Sequence, residues 1–139
     1  MRYLLPDTKK LVHQATLPMR WGDMDSMGHL NNVQYFRYFE TVRIDWLYGL
    51  GAAPTPDGEG FLLANAVCNF YKALEFPANV VAKLYVSDVA RTTFETWVTL
   101  EREDALGVIC ADGGSTTIWV DGKTKRAASL PEWLREKLI

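Results

Sequence analysis

From Asn32 to Leu50, apolar residues recur at Tyr35, Phe36, Phe39, Val42, Trp46, Leu47 and Leu50. Only a helix places that three- and four-residue spacing on one face. Arg37, Glu40, Arg43 and Asp45 fall mostly elsewhere. No other segment keeps a helical period over such a length, so the chain must be built around one long helix. Asn31 is placed to cap its start, and Gln34, three residues on, to return the bond as in a capping box. Gly49 and Gly51 supply the stop.

Around this helix the patterns are those of strands. Leu11 to Met19 alternates loosely and reads as a first strand. Ala52 to Gly60 (AAPTPDGEG) is dense in Pro and Gly and reads as a loop. Phe61 to Phe76 is an apolar, strand-like run ended by Pro77. Val80 to Val89 keeps Val80, Ala82, Leu84 and Val86 on one parity, and Phe94 to Leu100 alternates cleanly. Val108 to Val120 reads as a long strand bulged near Gly113 and Gly114, with Asp121-Gly122 as a turn. Ser129-Leu-Pro-Glu132 reads as a capping box opening a short helix, Glu132 to Leu138. Strands joined by short turns must be antiparallel. The expected architecture is therefore α+β, an antiparallel sheet curved around one helix of about five turns. The sheet edge and its partly apolar outer face would both be protected if two copies join.

With 139 residues, 48% of them hydrophobic and 23% charged, the chain is expected to form one domain, 1–139, with a sizeable core. A net charge of −2 gives no reason to expect nucleic acid or an anionic membrane as partner. No apolar run approaches the ~18 residues of a membrane span. The N-terminal stretch lacks the length of a secretory signal, so a cytoplasmic location is expected. Cys68 and Cys110 lack CxxC spacing and read as buried free thiols.

Chemistry concentrates just ahead of the helix, in Arg20–Tyr35 (RWGDMDSMGHLNNVQY). A calcium loop is excluded because Met27 and Gln34 stand where its oxygen ligands belong. Only His13 remains as a second histidine for a transition metal, so no metal is expected. GxSxG, GxxxxGK[ST] and GxGxxG are all absent, which removes nucleophile-elbow and phosphate-loop chemistry. Two readings of Asp23 and Asp25 remain open. In one, Asp25 folds back over the helix start, where backbone N–H groups near Asn32 polarise a carbonyl. In the other, the aspartates only cap turns and Gly28 takes a positive φ.

Asp23-Met-Asp25-Ser-Met-Gly28-His29-Leu-Asn31-Asn32-x-x-Tyr35 resembles the DxDxxGHxNNxxY signature of hotdog-fold thioesterases, the 4-hydroxybenzoyl-CoA thioesterase-like superfamily. The similarity continues through Phe39-Glu40, Glu75-Phe76-Pro77 and Leu130-Pro131. The resemblance implies a hotdog fold and an acyl-CoA thioesterase needing no cofactor, in which Asp25 is the catalytic carboxylate and the Asn32 backbone N–H binds the thioester oxygen. It implies that Gly28, His29 and Asn31 shape the loop, that Tyr35 lies by the acyl pocket or in the core, and that Glu40 is structural or orienting. Arg91, Thr92 and Thr93, with Lys123, Lys125 and Arg126 as alternatives, would meet the CoA phosphates. A homodimer or homotetramer with the site at the subunit interface is expected. The rival readings are a carrier-protein thioesterase and a non-catalytic acyl-thioester-binding module of the same fold.

Overall fold

The computed structural model describes residues 3–51 and 57–139. The periodic stretch forms α1 (Asn32–Gly49), capped by Asn31, whose Oδ1 accepts from the Val33 N–H at 3.2 Å. The return bond expected from Gln34 is not made. The Asn31 N–H instead donates to the Asp23 carbonyl at 2.9 Å, so the upstream loop holds the cap. Gly51, at φ +77, ends the helix with its N–H on the Tyr48 carbonyl.

The buried arc of α1 is wider than the expected stripe. It takes in Tyr38 and Arg43 besides Tyr35, Phe39, Val42, Trp46 and Leu47, while Phe36 stays 39% exposed. A helix gripped on both flanks by a curved sheet buries more than one narrow face. Arg43 was therefore misplaced on the polar side.

The strands are β1 (Lys10–Pro18), β2 (Glu59–Leu63), β3 (Val67–Phe70), β4 (Asn79–Ser87), β5 (Thr93–Arg102), β6 (Ile109–Asp121) and β7 (Arg126–Ala127), followed by α2 (Glu132–Leu138). They form one antiparallel sheet in the order β1-β4-β5-β6-β2, with β3 and β7 also on β6. The run Phe61–Phe76 is thus not one strand. It breaks between β2 and β3, where the Asn65 Oδ1 takes the Thr116 N–H at 3.0 Å in place of a ladder bond. Glu59 and Gly60 belong to β2 rather than to a loop, while Ala52–Pro56 of that expected loop lie outside the described residues.

The bulge expected at Gly113 and Gly114 is absent. Both run in register opposite Val98 and Trp97, and the irregularity falls at Cys110, between the pairs Leu100–Ala111 and Glu101–Ile109. The glycines serve close packing instead. A Cβ on Gly113 would run into the Val67 carbonyl oxygen and lie 2.6 Å from Phe39 Cε2, and one on Gly114 would run into the Trp97 ring. Bare backbone at Gly113 is what lets α1 settle onto the sheet. The capping box at Ser129 does not form either: Pro131 caps α2, and the Ser129 Oγ accepts from Arg91 Nη1 at 3.0 Å.

The inner face of the sheet supplies Val80, Ala82, Leu84, Phe94, Val98 and Leu100 to the core against Val42 and Trp46 of α1. On the outer face Glu101 is only 2% exposed and accepts from the Gly107 N–H at 2.6 Å and Lys83 Nζ at 2.9 Å. Burial pushes its carboxyl up, but those two donors outweigh burial and hold it below the usual carboxylate range. A depressed value means that its stabilisation is present above the unfolded value near 4 and is lost as pH falls through the folded one. Glu101→Gln is expected to cost about 2 kcal/mol at pH 7. The difference should shrink at pH 3 in paired urea unfolding curves. An equal loss at both pH values would rule out the charge as the cause.

The N-terminal segment crosses the outer face, with Lys9 Nζ 5.1 Å from the Tyr85 ring centroid and the Tyr3 carbonyl accepting from Asn69 Nδ2 at 2.5 Å. Part of that face is therefore covered by the chain itself, without a second copy. Among the described residues no helix is long and apolar enough to cross a membrane.

Candidate active site

Past Pro18 the chain makes a 3-10 turn, Trp21–Asp23, and then a small closed loop. The Asp25 N–H donates to the His29 carbonyl at 2.7 Å and the Gly28 N–H to the Asp25 carbonyl at 3.1 Å. Gly28 has φ +78, a left-handed conformation that suits glycine. The Asp25 Oδ1 fastens the loop from inside, accepting from the Met27 N–H at 2.9 Å and the His29 N–H at 3.1 Å. Among the described residues no hydrogen bond falls on its Oδ2.

Two contacts pin the loop to the segment before β4. The Leu30 N–H donates to the Leu74 carbonyl at 2.7 Å, and His29 bridges to Glu75, with His29 Nε2 3.5 Å from Glu75 Oε1. The backbone donors around the helix start are then almost all engaged: Leu30 on Leu74, Asn31 on Asp23, Val33 on the Asn31 side chain and Gln34 on the Asn31 carbonyl. Among the described residues the Asn32 N–H has no partner. It sits at the positive end of the α1 dipole.

Asp25, His29, Asn32 and Tyr35 line one cavity of about 300 Å³, together with Leu30 and Phe70. Tyr35 meets Phe70 edge to face, ring centroids 4.9 Å apart, and closes the cavity toward the core. Burial pushes the Tyr35 hydroxyl up, with the Leu74 backbone opposing. A second cavity, about 390 Å³, borders Asp25 on its other side and is walled by Trp21, Met24, Gly28 and Phe76. Asp25 thus lines both spaces. Cys68, on β3, is held protonated by burial, its thiol pushed up to about 12, with Asp112 adding to the effect. Neither Cys68 nor Cys110 is in a disulfide.

Asn31 contributes as the cap rather than as a cavity wall. Replacing it with Ala is expected to cost about 1 kcal/mol of stability, measured by thermal or urea melting. Arg91, Thr92 and Thr93 lie elsewhere. The Asp25 loop follows Pro18, which pairs with Asn79 at the end of the sheet where β5 finishes, whereas Thr93 begins β5. The 10 residues of β5 separate the two ends by about 30 Å. In this chain Arg91 bonds Ser129, and the Thr92 carbonyl takes the Trp119 N–H at 2.8 Å. Phe70 and the Tyr71–Ala73 stretch of the cavity wall escaped the sequence reading, because no spacing ties them to the motif.

A family model described as the thioesterase-like superfamily matches residues 19–138. The chain belongs to that superfamily. The long-chain acyl-CoA thioesterase FadM of Escherichia coli (strain K12) is 27% identical over 129 residues, covering 90% of this chain and 96% of FadM. The PA2801 protein of Pseudomonas aeruginosa superposes with a TM-score of 0.88 at 31% identity, over 91% of this chain and 98% of that one. The PA5185 protein of the same organism gives 0.81 at 25% identity, over 94% of each. The hotdog fold expected from the motif is the fold found. As a member of the superfamily, the chain is a thioester hydrolase.

Proposed function

We propose that the protein hydrolyses acyl-CoA thioesters to a carboxylic acid and CoA, with Asp25 as base or nucleophile and the Asn32 N–H as oxyanion donor. The observation that carries this reading is the shared cavity: it is lined both by Asp25, one of whose carboxylate oxygens is unbonded among the described residues, and by Asn32, whose helix-start N–H has no partner among them. As base, Asp25 takes a proton from water while the water oxygen attacks the thioester carbon. As nucleophile, it attacks the carbon itself, and water then cleaves the acyl-aspartyl anhydride. Either way the carbonyl oxygen gathers negative charge beside the Asn32 N–H and the helix dipole. Collapse of the tetrahedral species returns the electron pair to sulfur and releases the thiolate of CoA.

The aromatic walls on both sides of Asp25 suit an acyl arm and a pantetheine arm, and the likeness to FadM supports a long-chain acyl group. The CoA phosphates are assigned to Arg91, Thr92 and Thr93 of a second protomer. β3 lies at an edge of the sheet, with β6 as its strand partner. Pairing two such edges about a two-fold axis reverses strand direction, so the Thr93 end of the partner's sheet arrives beside the Asp25 loop of this one. Arg43 supports an interface on that flank. It is 7% exposed, finds no hydrogen-bond acceptor among the described residues, and follows Phe39 by one helical turn.

A panel of acyl-CoA and acyl-carrier-protein thioesters of graded chain length, followed by thiol release, tests the reading. Hydrolysis of long-chain acyl-CoA is the expected result. Preference for carrier-protein substrates, or binding without release of thiol, would replace it. Light scattering should give a multiple of the chain mass, and a monomer would remove the shared site.

A further inference from the structure

The Asp25 loop is only as fixed as the segment it leans on. Residues 73–76, ahead of β4, serve both cavities: Ala73 lines the one shared by Asp25 and Asn32, and Phe76 lines the other. The same segment pins the loop. The Leu74 carbonyl takes the Leu30 N–H at 2.7 Å, and Glu75 makes both an antiparallel bridge with His29 and a side-chain contact at 3.5 Å. That side-chain contact is exposed on both partners, so it holds little by itself. Displacement of residues 73–76 would therefore carry the Asp25 loop with it and reshape both cavities at once.

A guanidinium at the end of β5 holds that segment. Arg102 closes β5 opposite Val80, and its Nη1 donates to the Glu75 carbonyl at 3.0 Å. Among the described residues it is the one charged side chain hydrogen-bonded to the backbone of 73–76. Its other two nitrogens go to a single carboxylate: Nε to Asp104 Oδ1 at 2.8 Å and Nη2 to Asp104 Oδ2 at 3.0 Å. Asp104 lies in the 3-10 turn Glu103–Ala105, directly after β5. A two-point bond to a carboxylate fixes the plane of a guanidinium, as a lone ammonium contact cannot. The nitrogen left over is thereby aimed at Glu75. The clamp is also rooted in a rigid element, since β5 is paired with β4 on one side and β6 on the other.

We propose that Arg102 is a positioning residue for thioester hydrolysis: through the Glu75 carbonyl it ties the Asp25 loop to the central strand of the sheet, with Asp104 setting its direction. Arg102 lines neither cavity, so it acts only through what it holds. The proposal rests on the reading of Asp25 given above.

Arg102→Gln tests this, because it removes the charge and the fork while leaving a polar side chain at the end of the strand. Small misplacement of a catalytic group is costly, so kcat for acyl-CoA hydrolysis should fall about tenfold or more, with KM within about twofold of the parent value. Asp104→Asn only loosens the guanidinium. It should lower kcat in the same direction but less, and should add nothing on top of Arg102→Gln. Amide hydrogen exchange reads the clamp without turnover. The Leu30 N–H, which rests on the Leu74 carbonyl, should exchange at least about tenfold faster in Arg102→Gln, while Val98 and Leu100 inside β5 keep their parent rates. The proposal is overturned by an unchanged kcat, by a loss confined to KM, or by additive losses in the double variant. It is overturned too if Val98 and Leu100 exchange faster to the same degree as Leu30, which would make Arg102 a general stabiliser. Absence of hydrolysis by the parent protein would remove the Asp25 reading, whereas unchanged Leu30 exchange in Arg102→Gln removes the clamp whatever the parent hydrolyses.

Discussion

Asp25→Asn is expected to lower kcat for thioester hydrolysis roughly 10³-fold, with KM for acyl-CoA little changed. The substitution is a clean one here. An amide oxygen at the Oδ1 position still accepts from the Met27 and His29 N–H groups, so the loop keeps its shape. What is lost is the negative charge and the second carboxylate oxygen, and with them the proton acceptor or nucleophile that the proposed mechanism uses. The weaker, neutral bonds to the loop should cost about 1 kcal/mol of stability, which melting curves separate from the kinetic effect. Retained activity would mean that Asp25 only caps its turn, and a collapse of stability would mean that the charge is structural.

The largest stability effect is expected at Gly113. Gly113→Val should cost about 3 kcal/mol or more, and Gly113→Ala somewhat less. The new carbon meets a carbonyl oxygen of β3 on one side and the Phe39 ring of α1 on the other. A backbone atom cannot turn aside as a side-chain tip can, so relief requires β3 or the helix to move. Either motion disturbs the wall that carries Phe70, and residual folded protein should also lose activity. Gly22→Ala is the matched control: nothing lies within 4 Å of its added carbon and its φ is not positive, so its urea midpoint should hardly shift. Equal midpoints for Gly113→Val and Gly22→Ala would show that the sheet accommodates the bulk.

The long helix and the Asp25 loop were open to sequence reading for the same reason: each is specified locally, by period in one and by cap and turn residues in the other. The competing readings of Asp25 did not exclude each other. Oδ1 holds the turn, which is the capping reading, while Oδ2 takes no hydrogen bond among the described residues and so leaves the other reading open. Gly113 and Gly114 were misread because a glycine serves a bulge and a close approach alike, and the deciding neighbour, Phe39, is remote in sequence. The break between β2 and β3 was hidden because Asn65 stands in for the backbone with its side chain. Phe70 and Arg43 were missed because their positions depend on which flank of α1 meets which strand, information carried by tertiary packing alone.

The inward bonds of Asp25 Oδ1 have a further consequence for how the enzyme works with temperature. A carboxylate on a free loop must give up its rotational freedom each time it meets a substrate. Here that freedom is lost once, when the loop closes during folding, so with Asp25 in the proposed role the barrier to each turnover would carry less unfavourable activation entropy. On the proposed mechanism, rate is thus tied to the integrity of a five-residue ring of hydrogen bonds, and heat that loosens this ring would dull the enzyme before it unfolds.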